Sequence, residues 1–254
     1  MRIHNKLLGQ DANSCVLNFC SGDNEDMFAQ NLKSQPSDWY YKDKEITYSY
    51  NKNGHRCKDL EDINLNNYIL FAGCSHTEGV GLKLEHTYPY LLSQYYNCDY
   101  YNLSLGGTGI DAIEYNLISW ISLIKQKPKF VVVQWPDHSR FLGSYPNYPS
   151  LIPNGSWMTD EFGKKFITSA EISGFFYARK YLSYKLITSL IDVPLIEIMF
   201  HSLSPYGSTH VSIKKLDLAR DLSHAGIKSH QKITEDTIAY IGNKYMHERL
   251  HNPT

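Results

Sequence analysis

The amino-acid sequence predicts an α/β fold of three layers, in which a central parallel sheet lies between two layers of helices. Two observations predict it. Short apolar runs of strand length alternate along the chain with longer segments whose apolar residues recur at helical spacing. The run 130–135, Phe-Val-Val-Val-Gln-Trp, is rich in β-branched residues and apolar apart from Gln134, which is typical of a strand buried on both faces of a parallel sheet.

The elements can be predicted in chain order. Residues 1–65 are polar and irregular apart from a strand at 46–50, and we expect them to form an extension packed on a core domain of residues 66–254. That domain is predicted to contain a buried strand at 68–72, a helix at about 84–96, a strand at 100–105, a helix beginning at Asp111, a strand at 130–135 ended by Pro136, a loop rich in Pro, Gly, Tyr and Ser at 143–158, a helix at about 169–190, a strand at 194–200 and a final helix running to about 247.

Composition narrows the possible partners. The formal net charge of -1 over 254 residues provides no strong positive field, so nucleic acid is not an expected partner. Five cysteines without a CxxC pair predict neither a disulfide framework nor a zinc site, and no metal or other cofactor is expected. No apolar run is long enough for a membrane span and no signal peptide is recognised, which favours a cytoplasmic or particle-associated protein.

Ser75 is the candidate nucleophile. It follows the predicted strand at 68–72 in the segment Gly-Cys-Ser-His-Thr-Glu-Gly, 73–79, where a strand-to-helix turn would expose its hydroxyl beside backbone N–H groups. The alternative role for a serine in this position is a helix N-cap. A second turn, Asn102 to Gly107, could present another N–H group and the Asn102 amide to the same place, or could simply be a tight turn.

Asp221 and His224 are the candidate partners of Ser75. A neutral histidine could accept the serine proton while the aspartate holds the imidazole in one tautomer. The alternative is an aspartate N-cap followed by a surface histidine, in a chain that has 11 histidines.

The order of these segments resembles the motif blocks of the SGNH (GDSL-like) family of serine hydrolases over roughly residues 46–245. The first block of that family matches Gly73, Ser75, Thr77 and Gly79, with Cys74 in place of the usual aspartate. The second block matches 102–107, and the last, Asp-x-x-His, matches 221–224. The resemblance implies a flavodoxin-like three-layer fold, a catalytic set of Ser75, His224 and Asp221, and an oxyanion hole that includes the N–H groups of Ser75 and Gly107, with Gly106 the less favoured donor.

The third block departs from the family pattern. The family has an asparagine after its Val-rich strand, whereas this chain continues Pro136, Asp137, His138, Ser139, Arg140. His138 lies nearest to that asparagine and is the candidate replacement donor, although Asp137, Ser139 or Arg140 could equally point into the site. The lead-in at 46–56 resembles that of some uncharacterised SGNH-like proteins, which makes Arg56 a candidate for closing the substrate pocket.

Other residues have competing interpretations. Cys74 could be a reactive thiol, but a small buried cysteine packed in the core is favoured. His76, Glu78 and His86 match no compact ligand motif, and solvated loop positions would explain them. Trp135, Trp157 and Tyr145 to Tyr148 could line a sugar-binding cleft or pack a loop.

The resemblance therefore implies a serine esterase that hydrolyses a small acyl ester, such as an O-acetyl group on carbohydrate, with Asn102, Trp135 and Arg56 as candidate substrate-binding residues. Two alternatives remain open. The chain could be a catalytically weak or inactive module that binds glycan or protein, or an O-acyltransferase that uses the same three residues.

Overall fold

The computed structural model describes residues 1–11, 13–137, 139–143, 152–158, 161–172, 174–199 and 210–251. The strands within this part are β1 Arg2–His4, β2 Leu7–Gly9, β3 Cys15–Leu17, β4 Tyr48–Tyr50, β5 Tyr68–Ala72, β6 Asp99–Asn102, β7 Val131–Gln134, β8 Phe141–Gly143, β9 Ile152–Asn154, β10 Leu195–Met199 and β11 Val211–Ser212. The α-helices are α1 Glu25–Ser34, α2 Ser75–Glu78, α3 Tyr88–Tyr95, α4 Ile110–Leu123, α5 Glu161–Ile172, α6 Phe175–Leu190 and α7 Ile227–His251.

The central sheet has five parallel strands in the order β11-β10-β7-β5-β6. Numbered by their sequence within this sheet, the strands run 2-1-3-4-5 from the β6 edge, which is the flavodoxin-like order. Helices α3 and α7 pack together against the sheet, and α4 packs with α6. The predicted α/β class with a parallel sheet between helices is confirmed.

Two apolar clusters hold the layers together, and they divide the side chains of β5 between them. Leu70 and Ala72 pack in the cluster that contains Trp120 of α4 and Ile187 of α6. Ile69 and Phe71 pack in the other cluster, with residues of α3 and α7. The alternation follows from the two-residue period of a strand, and it explains why every residue of β5 is apolar.

Two predicted helices differ from the observed ones, and one strand of the central sheet was not predicted. The expected helix at about 84–96 is divided at Thr87, whose extended backbone precedes α3, with Pro89 in the first turn of that helix. The helix expected at about 169–190 is two helices, and the first of them begins earlier, at Glu161. The break between α5 and α6 includes Gly174, which has a φ of +69° that favours glycine. The short strand β11 was not predicted.

The extension at 1–65 is more ordered than expected. It contains a hairpin formed by β1 and β2, a second antiparallel pair formed by β3 and β4, and the helix α1. Its side chains contact the core domain at several buried positions. The Leu8 N–H donates to the Asn116 side-chain oxygen of α4 at 2.8 Å, and the Asn116 amide nitrogen donates to the Leu8 carbonyl at 2.9 Å.

No helix among the described residues is long and apolar enough to cross a membrane.

Candidate active site

Ser75 lies at the carboxyl edge of the sheet, immediately after β5. The connection Gly73-Cys74 turns the chain so that Ser75 begins the four-residue helix α2. Gly73 is required there, because a Cβ at this position would lie 2.2 Å from the Thr77 hydroxyl oxygen. The Cys74 peptide N–H and thiol both lie within hydrogen-bond distance of Gln134 Oε1 on β7, at 3.3 and 3.0 Å. The position of the serine is therefore fixed by the two central strands.

His224 and Asp221 meet Ser75 from the loop that follows β11. The Ser75 Oγ lies 2.7 Å from His224 Nε2, and His224 Nδ1 lies 2.5 Å from Asp221 Oδ2. A carboxylate only accepts, so Nδ1 carries the ring proton and Nε2 accepts a hydrogen bond from the Ser75 hydroxyl. Such a chain can accept the serine proton during attack on an electrophile and stabilise the imidazolium that forms.

The local backbone explains how residues three apart reach one another. Leu222 has a φ of +54°, so the chain reverses between Asp221 and His224, and the Asp221 carboxylate also accepts the His224 N–H at 3.2 Å. The Asp221 side chain is fully buried, whereas His224 retains partial exposure on the cleft side. The carboxylate is thus shielded from water and directed at one ring nitrogen.

A buried ion pair holds the residue before Asp221. The Arg220 guanidinium contacts the Asp23 carboxylate at 2.8 Å, and Asp23 also accepts the Tyr48 hydroxyl at 2.5 Å. The guanidinium lies over the rings of Phe19 and Phe28. Four of these five residues belong to the extension, which therefore anchors the loop that carries Asp221 and His224.

Ser75 and His224 open into a cleft of about 600 Å³. One wall comes from the core domain and the other from the extension. The lining residues are Gln10, Asp11, Leu17, Cys20, Ser21, Gly22, Tyr50, Ser75, Glu78, Val80, Gly106, Gly107, Arg140, Pro153, Trp157 and His224. Gly22 lies directly against the imidazole, since a Cβ built on it would be 3.7 Å from His224 Cε1. From the sequence the extension was expected only to pack on the core domain, and its contribution to the cleft was not predicted.

The glycine turn after β6 reaches the cleft, but Asn102 does not line it. Gly106 and Gly107 are both lining residues, and Gly107 has a φ of +78°, which favours glycine. The Asn102 amide instead donates to the Thr77 carbonyl at 2.9 Å, and its oxygen accepts the Ser104 N–H at 3.2 Å. Asn102 therefore ties the second motif to α2, the helix that begins with Ser75.

Arg56 is buried behind the site rather than exposed in the cleft. Its guanidinium donates to the carbonyls of Glu78 and Gly79, which end α2, and to those of Thr47 and Leu82. It also lies 4.3 Å from the centre of the Tyr48 ring. These bonds connect the extension to the turn at 73–79 that carries Ser75, which differs from the expected closing of a substrate pocket.

The two candidate tryptophans lie in different places, Trp135 in the core and Trp157 at the cleft. Trp135 is 2% exposed, packs in the same cluster as Val131 and Val133, and donates from its indole nitrogen to Glu197 at 2.8 Å. It does not line the cleft. Trp157 does line it, is 46% exposed, and stacks with the Arg140 guanidinium at 5.3 Å. The expected group Tyr145 to Tyr148 lies outside the described residues.

His138, the candidate third donor, also lies outside the described residues. Of its neighbours, Asp137 accepts hydrogen bonds from the N–H and hydroxyl of Ser139, and Ser139 is buried. Arg140 is the residue of this segment that the structure brings to the cleft.

His76 and Glu78 are buried, so their expected description as solvated loop residues is wrong. The His76 ring lies 4.8 Å from the His224 ring, and burial lowers the pKa of His76 well below 6.5, which keeps it neutral; a proton on His224 would lower it further. Burial raises the pKa of the Glu78 carboxyl. The signal available in the sequence was their place in the motif at 73–79, directly after a strand whose residues are all buried.

Two cysteines lie near Ser75: Cys20 lines the cleft, and Cys74 is buried beside it in the chain. Burial raises the pKa of Cys20 to about 12, so this cleft residue carries no thiolate at neutral pH. Cys74 is 1% exposed and bonded to Gln134, which fits the packing role expected for it. Among the described residues, no group of three or more His, Cys, Asp or Glu side chains is arranged to hold a metal ion.

Comparisons with known proteins found similarity at the level of structure. No protein-family model matches the sequence, and no curated protein matches it. A family two carbohydrate esterase from Clostridium thermocellum, solved with cellohexaose, matches 72% of this chain and 65% of its own length at 15% identity, with a TM-score of 0.42. An acetyl xylan esterase from Butyrivibrio proteoclasticus matches 70% of this chain and 64% of its own length at 16% identity, also with a TM-score of 0.42.

A member of the lipolytic G-D-S-L family from Veillonella parvula matches 68% of this chain and 97% of its own length at 10% identity, with a TM-score of 0.35. The chain is similar to these three proteins at identities of 10–16% and TM-scores of 0.35–0.42. It spans less than two thirds of the length of the two carbohydrate esterases.

Proposed function

We propose that this chain is a serine esterase of the SGNH type. The observation that carries the proposal is the continuous hydrogen-bonded chain from the Ser75 hydroxyl through the His224 imidazole to the buried Asp221 carboxylate, at the floor of an open cleft. A serine used only as a helix N-cap would bond to the backbone of its own helix. Ser75 instead bonds to a histidine that lies 149 residues away in the sequence.

The reaction follows from this geometry. Ser75 Oγ attacks the ester carbonyl carbon while its proton passes to His224 Nε2, and Asp221 stabilises the resulting imidazolium. The tetrahedral intermediate collapses when its bond to the alcohol oxygen breaks and His224 returns the proton to the leaving alcohol. Water then attacks the acyl group on Ser75, gives a proton to His224, and releases the acid as the serine regains its proton.

The oxyanion of both tetrahedral intermediates needs hydrogen-bond donors. The N–H groups of Ser75 and Gly107 are the proposed donors, because Ser75 begins α2 and Gly107, in the glycine turn, lines the same cleft. Backbone donors held by the sheet edge cost little reorganisation during the reaction.

A short acyl group on a carbohydrate is the substrate class we propose. The buried carboxyl group of Glu78 lies beside Ser75, and a polar group at this place is poorly suited to contact with a long hydrocarbon chain. Trp157 presents a half-exposed ring at the cleft, and such rings stack on the apolar faces of sugars. Asp11, Gln10 and Ser21 provide polar groups for hydroxyls.

The test is hydrolysis of p-nitrophenyl acetate by wild type, Ser75→Ala and His224→Ala, with folding checked by circular dichroism. Each variant is expected to lose about 10⁴-fold or more in kcat. Ser93→Ala and His86→Ala are matched controls that remove the same residue types outside the cleft, and both should retain activity.

Three outcomes separate the candidate functions. Turnover that disappears in Ser75→Ala and His224→Ala supports the esterase. Turnover that yields an acylated sugar when an oligosaccharide is added identifies a transferase. A folded wild type that neither releases p-nitrophenol nor acylates Ser75 contradicts the proposal and favours a binding module.

A further inference from the structure

Glu78 is the one buried carboxyl group of the cleft that the reaction above does not use. Its side chain is 2% exposed. The Oε1 atom accepts a hydrogen bond from the Tyr50 hydroxyl at 2.8 Å. The Oε2 atom is buried and makes no hydrogen bond of ordinary geometry within the part of the chain that the structure describes, although the Gly106 N–H lies close enough to the carboxyl group to lower its pKa. A polar atom buried without a partner is costly, and it is retained most readily where a ligand supplies the partner.

The unpartnered oxygen lies beside the nucleophile. A Cβ built on Gly106 would lie 2.9 Å from Glu78 Oε2 and 3.9 Å from Ser75 Cβ, so both groups border the same small space. Any side chain at position 106 would fill that space. The glycine keeps it open to the cleft, which Ser75, Glu78 and Gly106 all line.

The surroundings of Glu78 favour its neutral form. Burial is the largest influence and raises the pKa of the carboxyl group. The Tyr50 hydroxyl, Arg56, the Gly106 N–H and His224 act in the opposite direction without cancelling it. Tyr50 donates to Oε1, and Oε2 makes no hydrogen bond of ordinary geometry, so a proton carried on Oε2 would make that atom a hydrogen-bond donor towards the cleft.

We propose that Glu78, as a neutral carboxylic acid, donates a hydrogen bond from Oε2 to the carbonyl oxygen of the bound ester and to the oxyanion formed when Ser75 attacks. This inference rests on the proposed esterase function. It assigns to Glu78 the third donor of the oxyanion hole, for which the segment after β7 lacks the asparagine found in the SGNH family. The bond strengthens as negative charge develops on the oxygen, so its effect falls mainly on kcat.

Two substitutions at Glu78 separate donation from other roles. Glu78→Gln keeps the shape and can still accept from Tyr50 through Oε1 while its amide donates into the cleft. Glu78→Leu keeps much of the volume and removes the donor. Kinetics of p-nitrophenyl acetate hydrolysis should show kcat within about tenfold of wild type for Glu78→Gln and a loss of about 10²- to 10³-fold for Glu78→Leu. Glu197→Gln, which alters a buried carboxyl group outside the cleft, is the matched control and should retain activity.

The pH profile provides a second measurement. Wild-type kcat/KM should fall on the alkaline side as Glu78 loses its proton, whereas Glu78→Gln has no proton to lose and should not show that fall. The other charged or titratable groups facing Glu78, which are Tyr50, Arg56, His224 and Cys20, are present in both proteins. The ratio of kcat/KM for Glu78→Gln over wild type should therefore rise with pH.

Each outcome decides the proposal. A loss in Glu78→Gln as deep as in Glu78→Leu would mean that a charged carboxylate accepts a hydrogen bond or positions the Gly106 turn, and it would overturn the donor role. Activity retained in both variants, with Ser75→Ala inactive, would overturn this inference and leave the esterase intact. Absence of any Ser75-dependent acyl transfer would overturn both. If Glu78→Leu does not fold, the pH ratio decides, together with the infrared carbonyl band of a neutral acid present in wild type and missing in Glu78→Gln.

Discussion

The ion pair between Asp23 and Arg220 offers the sharpest test of how the extension supports the site. Substituting Asp23→Ala removes the carboxylate and leaves the guanidinium buried, since Asp23 is fully buried and Arg220 is 3% exposed. Arg220 would keep only the Asn18 carbonyl, at 2.8 Å, and its contacts with two aromatic rings. The hydroxyl of Tyr48 would lose its carboxylate acceptor as well.

The expected cost follows from leaving a charge buried without its counter-ion. Breaking a buried pair in this way destabilises a protein by about 3 to 5 kcal/mol. The double variant Asp23→Ala/Arg220→Met removes the charge too, so it should recover about half of that loss or more. Asp192→Ala, which breaks an exposed pair with Lys127, is the matched control and should change stability by less than about 1 kcal/mol.

Urea unfolding followed by tryptophan fluorescence measures all three free energies. The activity of folded Asp23→Ala should also fall, because Arg220 directly precedes Asp221 and its peptide N–H is bonded to the Gly81 carbonyl. A loss of less than about 1 kcal/mol in Asp23→Ala, or a double variant less stable than the single one, would refute the reasoning.

Three further predictions concern the core, the turn beneath Asp221 and the cleft. Burial lowers the pKa of His55 from 6.5 to about 4. The unfolded state therefore takes up a proton before the folded state does, and the free energy of unfolding should decrease by about 3 kcal/mol as the pH falls from about 6.5 to about 4. Urea melts of His55→Gln should depend less on pH over this window, and equal dependence would contradict the assignment. Gly81→Ala should lower kcat more than tenfold, because φ is +79° and the new Cβ would lie 2.7 Å from Ala219 Cβ and 3.0 Å from Asp221 Oδ1. Gly242→Ala, with open space around it, is the control that should keep full activity. Trp157→Ala should raise KM for an acetylated oligosaccharide by about tenfold through lost stacking, and it should leave p-nitrophenyl acetate kinetics unchanged. An oligosaccharide KM equal in wild type and Trp157→Ala would exclude Trp157 from sugar binding.

Local sequence patterns determined the parts of the structure that depend on neighbours along the chain. The apolar run of β5, the β-branched run of β7 and the glycine turn after β6 predict strands that end at one edge of the sheet. Because parallel strands bring the loops at their carboxyl ends together, Ser75 and the glycine turn could be placed at one rim from sequence. The pairing of Asp221 with His224 could also be predicted, because residues three positions apart can reach each other within one turn of the chain.

The two-residue period of a strand could also have placed Trp135. It lies on the same face as Val131 and Val133, and all three pack against the helix layer. Reading Trp135 as a cleft residue gave too much weight to its aromatic type and too little to its register. The break at Gly174 was likewise visible as a glycine within a long helical pattern, but periodicity alone does not reveal where a helix ends.

Only the tertiary structure decided which distant polar residues meet. Asp23 and Arg220 are 197 positions apart, and Tyr50 and Glu78 are 28 apart, yet both pairs are buried contacts. A polar side chain in an irregular segment is compatible with a solvated position until the packing of other elements removes the water from it. The sequence therefore determined the order of the motifs and the strand edge at which they lie, whereas long-range burial decided that the extension forms a wall of the cleft and that Glu78 lies beside Ser75.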